Sequence, residues 1–117
     1  MTYDDLVGSW RPMELYGDRV RRTNGYGYLG IGNDEVSTVR GCRQVHGPLH
    51  LDYRGGLFVR LRSRTIGCPV TVGPGDLGPN TASVLRRAVR VQVRGDLLEL
   101  YGANRQRIGV YRAVDRP

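Results

Sequence analysis

Two cysteines and two histidines are the residues of this sequence best suited to nucleophilic or metal chemistry: Cys42, His46, His50 and Cys68. Their spacing, C-x3-H-x3-H-x17-C, offers thiolates and imidazoles, the ligand types that zinc takes. It is not a standard zinc spacing, and His50 sits in an alternating run that points it to the polar side of a strand. No metal is therefore assigned. Cys42 and His46 are near enough in sequence for a nucleophile and its base, but no third group orients the imidazole. His46 reads as an exposed loop residue. The cysteines leave two readings open. A Cys42–Cys68 disulfide would close a loop of 25 intervening residues and stabilise by roughly 3–4 kcal/mol on the loop-entropy argument. Two separate reduced thiols are what a reducing compartment would leave.

The eleven carboxylates fall mostly in turns or near the N-terminus, among them Asp4, Asp5, Asp34, Asp76 and Asp96. No spacing brings two of them to one cleft, as glycoside hydrolysis would require. Walker, dinucleotide, zinc-protease and nucleophile-elbow motifs are all absent. The glycine-rich stretch 26–32 lacks both the phosphate-binding lysine and a following helix. The sequence reads as a non-enzyme with no cofactor.

Charge is the other chemical signal. All 18 basic residues are arginine, and the net charge is +7. Arginine-biased codon usage would leave this composition, and so would selection for bidentate phosphate contacts. Arg60, Arg62 and Arg64 fall on one face of one expected strand, and Arg90 and Arg94 on one face of another. If those strands are neighbours, they form a basic stripe able to track phosphates or an anionic surface. Single-strand recognition also needs aromatic platforms, and Phe58 alone joins the first stripe. Trp10, Tyr26, Tyr28, Tyr53 and Phe58 are the candidate lining of an apolar ligand cavity, with Tyr101 and Tyr111 as further barrel contacts. In a small barrel such side chains more often fill the interior.

The elements that would position these residues are mainly strands. Leu49, Leu51 and Tyr53 alternate with polar neighbours, Arg54-Gly55-Gly56 turns the chain, and Leu57, Val59 and Leu61 alternate with Phe58, Arg60 and Arg62. Period two over both runs predicts a hairpin with aliphatics on one face and arginines on the other. Strands are also expected from Leu6, around Tyr26 to Ile31, over 36–40, over 89–94, over 97–101 and over 107–114. Residues 70–78, with three glycines and Pro74, read as a loop. A helix of about three turns starts at Asn80 or Thr81, either of which can cap it. Seventeen glycines in 117 residues argue against a helical bundle. Residues 1–117 form a single domain, mainly β: a small antiparallel, partly open β-barrel with a single α-helix.

Several of these pieces occur in a known order. Leu6-Val7-Gly8-Ser9-Trp10 matches an L-x-G-x-W strand. Val36-Ser37-Thr38-Val39-Arg40-Gly41-Cys42-Arg43, followed by Gly47, follows a V-S-G-x-x-G-C-N pattern, and Arg64-Thr65-Ile66-Gly67-Cys68-Pro69 follows T-R-M-A-C-P. The chain thus resembles the META domain family, the HslJ-like bacterial heat-shock proteins, over essentially its whole length. It departs from the family at Arg43, where Asn is usual, and at Pro48-Leu49, where an aromatic is usual. The resemblance implies a partly open barrel with one helix and a non-enzymatic ligand- or partner-binding role in stress or envelope physiology. Gly8-Ser9-Trp10 alone also opens lipocalin-type barrels, which carry small apolar ligands. Nucleic-acid or anionic-surface binding through the arginine faces is the third functional expectation. As written, the chain shows no signal peptide, lipid-attachment cysteine or membrane-length apolar run. It is therefore expected in the cytoplasm, or in the envelope, periplasm or medium if a leader has been removed.

Overall fold

Alternating apolar and polar residues build most of the described part of this chain into strands. The computed structural model describes residues 3–20, 27–32, 34–40, 43–52, 54–65 and 80–114, with backbone alone for Tyr3, Arg40, Arg43, Arg64 and Thr65. In chain order the elements are α1 (Tyr3–Leu6), β1 (Gly8–Leu15), β2 (Asp18–Arg19), β3 (Leu29–Gly32), β4 (Glu35–Arg40) and β5 (Arg43–Leu51). These are followed by β6 (Leu57–Val59), β7 (Arg62–Thr65), α2 (Thr81–Arg87), β8 (Arg90–Arg94), β9 (Leu97–Tyr101) and β10 (Arg107–Val114). Every pairing is antiparallel, and the strand order is β6-β5-β4-β3-β1-β10-β9-β8. The two outer strands meet at one bridge, Gly56 with Arg90. There Leu57 N donates to Val89 O at 2.8 Å and Val91 N to Gly55 O at 2.9 Å. The sheet is thus a nearly closed antiparallel barrel with β2 attached to β1 and β7 to β5.

Trp10 anchors the interior. It is fully buried, and its indole N–H donates to Leu6 O at 2.8 Å. That bond satisfies the polar atom a buried tryptophan brings with it and ties the end of α1 to β1. In β1 the pairing register shifts between Pro12 and Glu14. This bulge explains why Trp10 and Pro12, and then Leu15, all face inward despite their parity. Leu29, Val36, Leu49, Leu98 and Tyr111 complete the centre of the core.

The helix closes the barrel against β1, β4 and β10. Asn80 caps it: its Oδ1 accepts from Ser83 N, and Ser83 Oγ accepts from Asn80 N, both at 3.0 Å. This reciprocal pair satisfies two donors that a helix start leaves open. Val84 and Leu85 turn into the core, while Arg86 and Arg87 complement the last turn. Thr81 Oγ1 donates to Gly27 O at 2.6 Å and accepts from the Tyr111 hydroxyl at 3.1 Å. Burial pushes the Tyr111 phenol well above its ordinary value.

The structure corrects several expectations. The helix has seven residues, not three turns, because Ala88 is already extended. A four-residue helix precedes β1, too short to leave a periodic signal. The second strand of the expected hairpin is broken into β6 and β7. His46 lies in β5, half-buried, not in a loop. Cys42 and Cys68, and hence their pairing, lie outside the described residues, as do Tyr26 and Tyr53.

Candidate functional site

The outer surface of β5, β6 and β7 carries a two-row array of polar and aromatic side chains. Val45, Gly47 and Leu49 of β5 face inward, which leaves His46, Pro48 and His50 on the outer face. Across the ladder, His50 pairs with Phe58 and His46 with Arg62. Arg60 lies between them on the neighbouring row. Successive residues on one row are roughly 6.7 Å apart, two strand residues at ~3.3–3.4 Å each.

Gly47 shapes this surface. A Cβ on it would run into the backbone carbonyl of Arg60 and lie 3.2 Å from Leu61 Cα. Without one, the carbonyl comes in, Arg60 N reaches Pro48 O at 3.4 Å, and pairing lapses between β6 and β7. The result is an open basin of about 600 Å³ whose charged and imidazole lining is Asp34, Glu35, His46, His50, Arg60 and Arg62. Its charges are divided by β5. Glu35 lies on the β4 side, opposite Pro48, with Oε1 3.7 Å from His46 Nδ1. Arg60 and Arg62 lie on the other side, and among the described residues neither is in an ion pair. Phe58 is 60% exposed, and its ring centroid lies 6.3 Å from that of His50 at an interplanar angle of 39°.

The expected arginine stripe does not form. β7 and β8 are not neighbours, and antiparallel pairing at Gly56 and Arg90 sends β8 away from Arg60 and Arg62. The Arg64 side chain lies outside the described part of the structure. Arg94 is drawn into a charge network instead: Arg94 Nε lies 3.2 Å from Glu99 Oε1, and Arg107 Nη1 donates to Glu99 Oε2 at 2.9 Å. Arg107 also faces Glu14 at 3.5 Å, and its hydrogen bond to Glu99 is the main reason its pKa is raised. Arg90 lines a separate opening of about 510 Å³ at the barrel seam, with Tyr101 and Arg105.

The expected apolar lining is corrected too. Tyr28 and Phe58 are exposed, so only Trp10 of the described candidates points into the barrel, and it is packed. Tyr111 is the aromatic that joins it. The basin's histidines and Glu35 were missed as a group. Extending the period-two pattern of 49–51 back to Val45 would have placed His46 and His50 on the same outer row. Among the described residues, no group of three or more His, Cys, Asp or Glu is arranged to hold a metal, and no helix is long and apolar enough to cross a membrane.

No family model and no curated protein sequence matches this chain. Two solved structures share its fold. A DUF4847 family protein from Bacteroides vulgatus aligns with a TM-score of 0.65 at 9% identity, covering 94% of each chain. A protein from Burkholderia xenovorans, solved by NMR, aligns with a TM-score of 0.62 at 18% identity, covering 97% of this chain and 87% of that one. At these identities the likeness extends to the small β-barrel alone.

Proposed function

We propose that this chain is a non-enzymatic binding domain whose ligand or partner presents clustered negative charge to the outer basin formed across β4, β5 and β7. The observation that carries this reading is the placement of Arg60 and Arg62, exposed and outside any described ion pair, on the rim of a concave surface. A guanidinium without a carboxylate partner keeps its full fork of donors for phosphate or carboxylate. The barrel interior favours this outer site over an internal carrier role, since Trp10, Leu29, Leu98 and Tyr111 occupy it and are fully buried. The META-like motif order supports placing such a domain in stress or envelope physiology, and an external basin is compatible with that role.

Titration with inorganic polyphosphate tests the reading. Two phosphate contacts give a log–log salt slope of about −1.4, at ~0.7 per contact on a flexible strand. Arg60→Ala with Arg62→Ala should abolish that dependence. Arg11→Ala with Arg19→Ala, the same change in net charge on exposed residues elsewhere, should leave affinity and slope nearly unchanged. Equal losses in the two pairs would reduce the effect to net charge and overturn the site.

A further inference from the structure

Phe58 is the feature that an anion site alone does not explain. It is the most exposed large hydrophobic side chain of the described residues, at 60%, and it stands beside the basin with its ring next to His50. A ring left 60% exposed forgoes more than half of the roughly 1.5–3 kcal/mol that full burial brings, and among the described residues its ring contact is with His50. The chain runs on from it to Arg60, between β6 and β7, and to Arg62, which opens β7 opposite His46. An aromatic face on β6 and two guanidiniums on the segment that follows it offer what a nucleotide needs: a surface for the π-face of a base and forks for the adjoining phosphates.

We infer that the basin takes nucleotide units of a single-stranded nucleic acid, a base stacking on Phe58 beside His50 while Arg60 and Arg62 hold the phosphates. This rests on the anion-binding reading of the same basin. The geometry favours a strand over a lipid surface. The site is concave and offers two guanidiniums, while Asp34 and Glu35 on the β4 side would meet a flat anionic membrane with like charge. A single strand can follow the β6–β7 row and stay clear of those carboxylates. The Phe58 platform also favours nucleotides over an acidic peptide, because every base brings a π-face and an acidic side chain brings none.

The test is fluorescence anisotropy with a labelled oligothymidylate of about twelve nucleotides, within the range of single-strand site sizes, set against inorganic polyphosphate, which has the charge without the bases. Phe58→Ala should weaken the oligonucleotide about 5- to 150-fold, the equivalent of ~1–3 kcal/mol for one stacked base, and leave polyphosphate unchanged. Phe58→Tyr should restore most of the loss. Circular dichroism of each variant confirms the fold. Competition by ATP with the same Phe58 dependence would identify a free nucleotide as a source of the same chemistry. Phe58→Ala affecting both ligands equally, or neither, would overturn the inference and leave the anion site standing. Failure of both ligands to bind the native protein would overturn the two together.

Discussion

Gly47→Ala isolates the feature that shapes the basin. The added methyl would meet the carbonyl carbon and oxygen of Arg60 and approach Leu61 Cα, all of them backbone. No side chain can swing away to relieve the clash, so β5 or the β6–β7 segment must shift. Overpacking of this kind costs about 1–3 kcal/mol or somewhat more. For a domain of this length each kcal/mol lowers Tm by about 3–5 °C, so the variant should melt roughly 3–15 °C below the native protein. Gly32→Ala is the matched control. A methyl on Gly32 would have no atom within 4 Å, and its φ is not positive, so its change should fall within about 0.5 kcal/mol. Thermal and urea unfolding read both. Gly47→Ala should also weaken polyphosphate binding under conditions where it remains folded, because the Arg60 backbone moves. A Gly47→Ala protein as stable as Gly32→Ala would refute the close approach, and the break between β6 and β7 would need another cause.

Three further outcomes are expected. Asn80→Ala removes the Oδ1 acceptor of the α2 cap and should cost about 1 kcal/mol, within a range of ~0.5–2, by urea unfolding. Asp52 accepts from Gly56 N and Arg54 N, both at 2.8 Å, and the Gly56 bond first and then the Arg54 bond hold its carboxyl below the ordinary 3.8. Its folded-state pKa being depressed, its contribution is complete above that ordinary value and is lost as pH falls through the lower one. The stability gap between native protein and Asp52→Asn should therefore be constant near neutrality and close in acid, as read by unfolding at a series of pH values. Tyr111→Phe removes the hydroxyl that donates to Thr81 and should cost on the order of 1 kcal/mol, whereas a neutral result would mean that this bond does not hold α2 on the barrel.

Local patterns in the sequence anticipated local structure. The alternation of Leu49, Leu51, Leu57 and Val59 produces the central hairpin, and Asn80 does cap the helix. The turn between the strands works by a means only partly visible beforehand: the Asp52 carboxylate gathers the Arg54 and Gly56 amides. What sequence could not supply is non-local. The relation of β7 to β8 depends on closure of the whole barrel, so the arginine stripe was a conditional expectation that the topology did not meet. Gly47 reads as an unremarkable strand glycine until the Arg60 carbonyl is seen against it. Phe58 shares the parity of Arg60 and Arg62, so its outward direction was available from period two, although its hydrophobic character suggested a cavity. Trp10 is buried as its type suggests, but its bond to Leu6 O depends on a helix too short to predict.

Anion binding by the outer basin across β4, β5 and β7 is the central claim, and an amide-resolved NMR titration with inorganic polyphosphate tests it most directly. Shift changes should concentrate at His46, Gly47, His50, Arg60 and Arg62, and should vanish in the Arg60→Ala, Arg62→Ala protein. Changes centred instead on Arg90, Tyr101 and Arg105 at the barrel seam, or on Trp10 inside it, would contradict the claim.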